Sequence, residues 1–276
     1  MKVLVTGAKG ILGQDLCTML MENNHEVIET DIGNLDITDK QAIRNFLHHS
    51  KPDIVIHCAA YTNVDGAESD KEKAYLINHT GSENLAISSA ELELPIVYIS
   101  TDYVFDGTKN SPYKPDDPVN PLNIYGLSKL RGEESVRMFN PNHYIIRTSW
   151  LYGHKGKNFV ETMINLGKNN PEIKVVNDQT GCPTWTIELA RGILGLITNN
   201  SPYGTYHICG SGKTTWWGFA EEIFRLTAIQ INNIPVRTEE FPRPAKRPVY
   251  SVMHNAASCP DWRDSLKTYI NLREEK

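Results

Sequence analysis

A tyrosine and a lysine lie four residues apart in the segment LNIYGLSKLR, residues 122–131. The segment follows Pro118 and Pro121 and has the pattern of a helix start, which predicts Tyr125 and Lys129 on one helix face. A cation beside a phenol favours the phenolate and lowers the tyrosine pKa, so the pair could act as a general acid or base. The same spacing also occurs on solvated helices, so catalysis needs support from other residues.

That support comes from three glycines, Gly7, Gly10 and Gly13, which follow an apolar run and open a helical pattern. Glycines at this spacing allow a tight turn and bring the backbone close to a pyrophosphate at a helix N-terminus. Asp31 ends the next apolar run, near the ~20-residue spacing of a carboxylate that binds an adenosine ribose. The pattern predicts a dinucleotide-binding loop, and it lacks the Lys-Ser/Thr pair of a nucleoside triphosphatase loop.

The elements that must position these residues are β-branched runs that alternate with helical patterns. The runs cover residues 2–6, 26–30, 53–57, 96–100 and 144–148, and the helical patterns cover 11–23, 39–49, 69–93 and 122–139. This alternation predicts an α/β fold with a Rossmann-type doubly wound parallel sheet and right-handed crossovers. Ser100 and Thr101 then stand at the carboxyl end of a strand, where open α/β sheets bind ligands.

The sequence pattern changes after Trp150. The following residues include several glycines, the loop 177–184, the proline-rich stretch 241–248 and helical patterns at 185–198 and 214–228. We expect a dinucleotide-binding domain over residues 1–150 and a smaller C-terminal substrate-binding lobe over residues 151–276. A strand at 174–176 or 205–208 could return from this lobe to the main sheet.

Composition excludes several function classes. The 276 residues carry a formal charge of −5, and no run of Lys or Arg exceeds two residues, so no nucleic-acid partner is expected. The five cysteines are widely spaced without a C-x-x-C, which favours reduced thiols over disulfides or a zinc site. Polar residues and glycines interrupt every apolar run near the N-terminus, so we expect a cytoplasmic protein without a membrane partner.

Together these residues resemble the extended short-chain dehydrogenase/reductases, whose glycine pattern matches residues 6–13 and whose Tyr-x-x-x-Lys matches Tyr125 and Lys129. Segments 100–107, 123–129, 147–152 and 177–184 are similar to the branch of that family that acts on dTDP-linked 4-dehydro sugars. The resemblance covers nearly the whole chain. It implies reduction of the C4 carbonyl of dTDP-4-dehydro-L-rhamnose to dTDP-L-rhamnose with NADPH or NADH.

The resemblance also implies a role for individual residues. Tyr125 would donate the proton, Lys129 would tune it and hold the nicotinamide ribose, and Thr101 would hydrogen-bond the sugar carbonyl. The cofactor would be bound by Gly7, Lys9, Gly10, Ile11, Leu12, Gly13, Asp31, Asp36, Ile37, Ala59, Ala60, Tyr61, Thr62, Tyr125 and Lys129. The sugar nucleotide would contact Val64, Thr101, Asp102, Tyr103, Trp150 and Arg247.

Several of these positions have a simpler interpretation. Val64 and Ile37 could belong to the core, Trp150 could be a packed aromatic, and Arg247 could lie in a solvated basic loop. Asp31 suits the ribose hydroxyls of NADH, whereas Lys9 could reach the 2′-phosphate of NADPH, so both cofactors are expected to serve.

Two other functions remain open. One is an epimerase or dehydratase of the same fold that returns the hydride to its substrate, and the other is a non-catalytic dinucleotide-binding regulatory subunit. Thr101, Tyr125 and Lys129 favour an enzyme, and Asp102 supplies only one of the acidic residues that a dehydratase usually carries beside the threonine. Some family members have a glutamate of an intersubunit magnesium site where this chain has Asp15. No metal site is therefore predicted, and a homodimer stays open.

Overall fold

The computed structural model describes residues 1–255 and 259–274, in which strands alternate with helices. The strands are β1 (Lys2–Thr6), β2 (Glu26–Thr30), β3 (Ile54–His57), β4 (Ile96–Thr101), β5 (His143–Thr148), β6 (Leu151–Tyr152), β7 (Glu172–Val176), β8 (Thr180–Gly181), β9 (Thr184–Trp185), β10 (Gly204–His207), β11 (Thr214–Thr215) and β12 (Asn232–Val236). The α-helices are α1 (Ile11–Glu22), α2 (Lys40–Ser50), α3 (Val64–Ser69), α4 (Lys71–Tyr75), α5 (Ser82–Ala90), α6 (Ile124–Phe139), α7 (Phe159–Asn169), α8 (Thr186–Thr198), α9 (Trp216–Leu226) and α10 (Trp262–Glu274). A π-helical stretch covers Leu76–Gly81, and short 3₁₀-helices cover Asp102–Val104 and Thr238–Glu240.

Six strands form the main sheet in the order β10-β5-β4-β3-β1-β2, and every neighbouring pair is parallel. The chain builds outward from β1 to β2, then returns to the other side of β1 with β3. This reversal is the topological switch point of a doubly wound sheet, and ligands bind at the carboxyl ends of the strands beside it. The α/β fold class expected from the sequence is confirmed.

Helices cover both faces of the main sheet, which explains why the inner strands β1, β3 and β4 are continuous buried runs. On one face α1 and α8 pack through fully buried Leu16 and Leu189. On the other face α2, α5 and α6 pack around Ile43, Leu85 and Val136, which are also fully buried. Burying a side chain of this size contributes about 1.5–3 kcal/mol to the free energy of folding, so these two helical layers hold the main sheet in place.

The C-terminal lobe has its own apolar centre between α7, α9 and α10. Val160, Phe219, Ile223, Trp262 and Leu266 are buried there together. In this lobe β7 pairs in parallel with β12, so the segment 174–176 does not return to the main sheet. The segment 205–208 does return, because α8 packs against α1 and leads the chain to β10 at the edge beside β5. The division of the chain at residue 150 stays a prediction.

The helix expected over residues 69–93 is divided into α4, the π-helical stretch and α5. The wider turn at Leu76–Gly81 turns the Asn78 side chain inward, where its amide donates to the Tyr61 carbonyl at 3.0 Å and to Ser128 Oγ at 2.9 Å. No periodicity in the sequence signals this turn. Helices α7 and α10 were not predicted either. Within the described ranges, no helix is long and apolar enough to cross a membrane.

Candidate functional site

A cavity of about 950 Å³ lies at the carboxyl ends of the central strands. Residues that end β1 and β4 line it, together with the residues that follow β2, β3 and β5 and with the first turns of α1 and α6. Its position at the switch point and its size are those of a cofactor or substrate site in an open α/β sheet.

The glycine loop forms one wall, and two of its glycines are required by the packing. Gly7 has φ of +66°, and a Cβ there would lie 2.6 Å from the backbone nitrogen of Ala59. A Cβ on Gly13 would lie 2.2 Å from the Gly7 carbonyl oxygen. The loop leads into α1, whose N-cap residue Gly10 makes no side-chain cap hydrogen bond. The amides of the first turn are therefore available to an anion in the cavity, as a pyrophosphate requires.

Asp31 is fixed at the rim beside this loop. Its carboxylate accepts hydrogen bonds from the backbone amides of Lys9 at 3.2 Å and Ile32 at 2.9 Å. The predicted cofactor residues Lys9, Ile11, Leu12, Asp36 and Ile37 all line the same cavity. Apolar side chains that were not predicted complete this wall, namely Ile32, Leu35, Leu76 and Ile77. An apolar wall beside an acidic rim residue suits an adenine and its ribose.

Tyr125, Lys129 and Thr101 also line the cavity. Helix α6 begins after Asn123, whose side chain accepts a hydrogen bond from the Gly126 amide at 2.7 Å, and this start puts Tyr125 and Lys129 on the face toward the sheet. Thr101 is the last residue of β4, and its side chain lies close enough to the Tyr125 phenol to lower the pKa of that phenol. A phenol, a hydroxyl and an amine thus line the same cavity.

The expected lowering of the Tyr125 pKa is absent. Burial raises the pKa of Tyr125 to about 12, and the Thr101 side chain offsets only part of that rise. The Lys129 amine packs instead over the Tyr98 ring, 4.1 Å from its centroid. Burial lowers the pKa of Lys129 to about 7, against the opposing charge of Glu133. Tyr125 therefore holds its proton at neutral pH, which suits a proton donor.

Asp102 lies at the same end of the cavity and is buried. The Thr101 hydroxyl donates to its Oδ1 at 3.2 Å. Burial raises the pKa of Asp102 to about 7, although hydrogen bonds from Ser251 and Thr101 act in the opposite direction. Near neutral pH this carboxyl can either donate or accept a hydrogen bond in the cavity.

The segment after β3 contributes unevenly. Ala59, Ala60 and Thr62 line the cavity, whereas Tyr61 and Val64 do not. The Tyr61 backbone is held by Asn78, whose side-chain oxygen accepts from the Tyr61 amide at 2.8 Å. Val64 is half-buried at the start of α3. Cofactor contact by Tyr61 and substrate contact by Val64 stay predictions.

Trp150 lines the cavity from the end of β5 and is tightly packed. Its φ of +47° is in the left-handed region, which costs energy for a bulky residue. The indole stacks on Trp216 with ring centroids 3.5 Å apart, and a Cβ on Gly181 would lie 2.5 Å from it. Stacking and the glycine hold this backbone, so Trp150 is both a packed aromatic and a wall of the cavity.

Tyr103 and Arg247 do not line the cavity, yet they lie next to it. The Tyr103 ring meets the Tyr125 ring edge-on with centroids 5.9 Å apart, and the nearby Arg247 charge acts against the rise that burial causes in the Tyr103 pKa. The Arg247 guanidinium also donates two hydrogen bonds to Asp65, both at 3.0 Å. Arg247 is thus tied into the fold rather than lying in a solvated loop, and substrate contact by either residue stays a prediction.

Further residues line the cavity but were not predicted from the sequence. Thr148 and Ser149 precede Trp150 in a segment that was recognised as a motif, so their place beside it could have been predicted. Lys73 on α4 and Lys157 after β6 also line the cavity, but neither belongs to a recognised motif.

The position of the doubtful magnesium ligand is also defined. The Thr186 hydroxyl donates a hydrogen bond to the Asp15 carboxylate within the same chain. Across residues 1–255 and 259–274, no group of three or more His, Cys, Asp and Glu side chains could hold a metal ion. All five cysteines are free thiols.

Known proteins resemble this chain over nearly its full length. Residues 1–274 match the family model described as the RmlD substrate binding domain. The spore coat polysaccharide biosynthesis protein SpsK of Bacillus subtilis is 42% identical over 278 residues, which cover 99% of this chain and 98% of that protein.

Two solved structures are similar in both sequence and fold. A dTDP-4-dehydrorhamnose reductase of Clostridium acetobutylicum has a TM-score of 0.97 and 49% identity, with 99% of this chain and 100% of that chain covered. The dTDP-4-dehydrorhamnose reductase of Bacillus anthracis, solved in complex with NADP, has a TM-score of 0.95 and 41% identity, with the same coverage. The resemblance found in the sequence is confirmed, and the chain belongs to the family defined by the RmlD substrate binding domain.

Proposed function

We propose that this protein reduces the C4 carbonyl of dTDP-4-dehydro-L-rhamnose to dTDP-L-rhamnose with NADPH or NADH. The observation that carries the proposal is that Tyr125, Lys129 and Thr101 line one cavity together with the glycine loop and Asp31. The names of the two solved relatives and the NADP bound to one of them support the same reaction.

The residues present fit a dinucleotide. Gly7 and Gly13 let the loop pack closely on Ala59 and on the loop's own backbone, the N-terminus of α1 offers free amides, and Asp31 stands at the ribose end. The nicotinamide ring, when bound, supplies the hydride for the carbonyl carbon. Lys129 would hold the nicotinamide ribose, and Lys9 would contribute to the binding of a 2′-phosphate.

The chain's own residues handle the proton. Tyr125, which stays protonated at neutral pH, donates its proton to the carbonyl oxygen as negative charge develops there. The Thr101 hydroxyl exchanges its hydrogen bond to Asp102 for one to the same oxygen and orients that oxygen toward the phenol. Trp150 and Asp102 line the sugar end, where Trp150 limits the position of the ring and Asp102 can bond a sugar hydroxyl.

The proposed place of action is the cytoplasm, because five free thiols suit a reducing compartment. The proposed partner is a small dTDP-linked sugar, with no nucleic acid involved. A homodimer stays a prediction.

A single assay separates this function from its alternatives. The purified protein is incubated with dTDP-4-dehydro-L-rhamnose and NADPH, and the absorbance of the reduced cofactor is followed beside mass analysis of the sugar nucleotide. One NADPH consumed for each sugar reduced supports the proposal. Conversion of the sugar without net consumption of NADPH identifies an epimerase, and binding of NADPH without any turnover identifies a regulatory subunit.

A further inference from the structure

A lysine of the C-terminal lobe enters the cofactor side of the cavity. Lys157, in the segment between β6 and α7, lines the cavity together with Gly10, Ile11 and Leu12 of the glycine loop. A Cβ on the preceding residue, Gly156, would lie 3.9 Å from Ile11 Cβ, so this segment passes close to the first residue of α1. The lysine thus approaches the glycine loop from a segment about 150 residues away in the sequence.

The segment that carries Lys157 is held at both ends. Gly156 has φ of +74°, a conformation that glycine adopts without strain. The Asn158 side chain donates to the Gly153 carbonyl at 2.8 Å and accepts from the Glu161 amide at 3.1 Å, which caps α7. The Tyr269 hydroxyl also donates to the Gly153 carbonyl, at 3.1 Å. The direction of the turn is therefore fixed by the packed lobe.

The charge of Lys157 suits an anion at the N-terminus of α1. Helix N-termini attract negative charge through their free amides and dipole, and an ammonium beside them adds a point charge. No described side chain forms a salt bridge with Lys157 that would neutralise it. The opposite end of the dinucleotide site, at Asp31, has its own cation in Lys9.

We propose that Lys157 binds the pyrophosphate of the dinucleotide and so joins the C-terminal lobe to the cofactor. This inference rests on the proposed function, because it requires a bound dinucleotide. A lysine that binds the pyrophosphate can be distinguished from one that binds the 2′-phosphate by its effect on the two cofactors. NADPH and NADH share the pyrophosphate, so Lys157 should contribute equally to both, whereas a residue for the 2′-phosphate would affect NADPH alone.

The test compares Lys157→Gln with Lys155→Gln, a matched change of an exposed lysine in the same segment that does not line the cavity. Dissociation constants for NADPH and NADH are measured by calorimetry without sugar nucleotide, and dTDP is titrated separately. We expect Lys157→Gln to weaken both cofactors by about fivefold, the upper range for an exposed ion pair. Lys157→Arg should restore affinity, and Lys155→Gln should leave it unchanged.

Other outcomes overturn the inference. Equal affinities in Lys157→Gln and the unaltered protein would remove Lys157 from the cofactor site. A loss for NADPH alone would assign it to the 2′-phosphate, and a loss for dTDP alone would assign it to the substrate diphosphate. If the unaltered protein binds neither NADPH nor NADH, the proposed function fails as well, so the two failures are distinguishable.

Discussion

The Arg147 guanidinium donates two hydrogen bonds to the Glu133 carboxylate, at 2.9 Å and 2.8 Å, in the interior behind the cavity. Glu133 also accepts a hydrogen bond from Ser100 at 2.5 Å and stands one helical turn after Lys129. Its charge opposes the effect of burial on the Lys129 pKa. This buried pair therefore ties β4 and β5 to α6 and supports the protonated form of Lys129.

The first prediction follows from that pair. Glu133→Gln leaves the buried Arg147 charge without its carboxylate partner, so the free energy of unfolding should fall by about 3–5 kcal/mol in urea denaturation. Glu134→Gln is the matched control, because Glu134 pairs with Arg131 at the surface, and it should cost less than about 1 kcal/mol. A double variant, Glu133→Leu with Arg147→Met, should lose less than Glu133→Gln alone; an additive loss would contradict the pairing.

The second prediction concerns proton donation. Tyr125→Phe should lower kcat for reduction by at least ~10²-fold, because the phenol proton is lost while the ring remains. The Kd for NADPH should change little, since only the hydroxyl is removed. Steady-state kinetics and a cofactor titration measure the two quantities. Turnover near that of the unaltered protein, in a variant with an unchanged circular dichroism spectrum, would remove Tyr125 from the reaction.

The third prediction concerns Lys129. Lys129→Ala should lower turnover and also weaken cofactor binding, because the amine that would hold the nicotinamide ribose would also fix the position of the ring that delivers the hydride. With a pKa of about 7 in the protein without ligand, Lys129 loses its charge as the pH rises. An anionic dinucleotide favours the charged form, so its affinity should decrease between pH 7 and pH 9. Calorimetric Kd values across this range should lose that slope in Lys129→Met; a defect in only one parameter would contradict the dual role.

The fourth prediction separates two roles of one aromatic. Trp150→Ala should raise KM for the sugar nucleotide far more than it raises the Kd for NADPH, because Trp150 lines the cavity and is proposed to limit the position of the sugar ring. Trp216→Ala is the control, because this variant loses the same stacking contact and Trp216 does not line the cavity. Both variants should lower the free energy of unfolding. Equal KM values for the two variants would make Trp150 a structural residue only.

The fifth prediction concerns the choice of cofactor. We expect NADPH and NADH to differ by less than about tenfold in kcat/KM. Asp31 favours NADH and Lys9 favours NADPH, and because both charges are partly exposed, the net difference in free energy between the two cofactors should be small. Lys9→Ala removes the ammonium but keeps the backbone amide that binds Asp31, so it should weaken NADPH use selectively. Asp31→Ala should weaken NADH use selectively. An unchanged ratio in Lys9→Ala would show that Lys9 is a solvated loop residue.

The sheet and its ligand edge could be predicted from the sequence, because glycine spacing and apolar runs depend on local contacts. The five runs became β1 to β5 within a residue or so, and the glycine loop stands where its pattern required. The π-helical turn at 76–81 could not be predicted, because it depends on Asn78 binding the backbone of Tyr61, which is distant in sequence.

The electrostatics of the site show the same limit. The i, i+4 spacing correctly put Tyr125 and Lys129 on one helix face, but the sign of the Tyr125 pKa shift was wrong. Burial and the position of the Lys129 amine over Tyr98 depend on how α6 packs on the sheet. Lys157 was missed for a similar reason, since only the folded lobe brings it to the glycine loop.

The return of β10 to the main sheet has a consequence during synthesis. A nascent chain that has emerged only as far as β5 can assemble five strands, but β5 then lacks its outer neighbour. Unpaired amides and carbonyls on such an edge readily hydrogen-bond to other chains, and contacts between distant segments form slowly. Tyr144, Ile145 and Ile146 would be vulnerable until Gly204–His207 pairs with that edge. Pairing of β10 with β5 thus covers an edge that would otherwise be prone to aggregation.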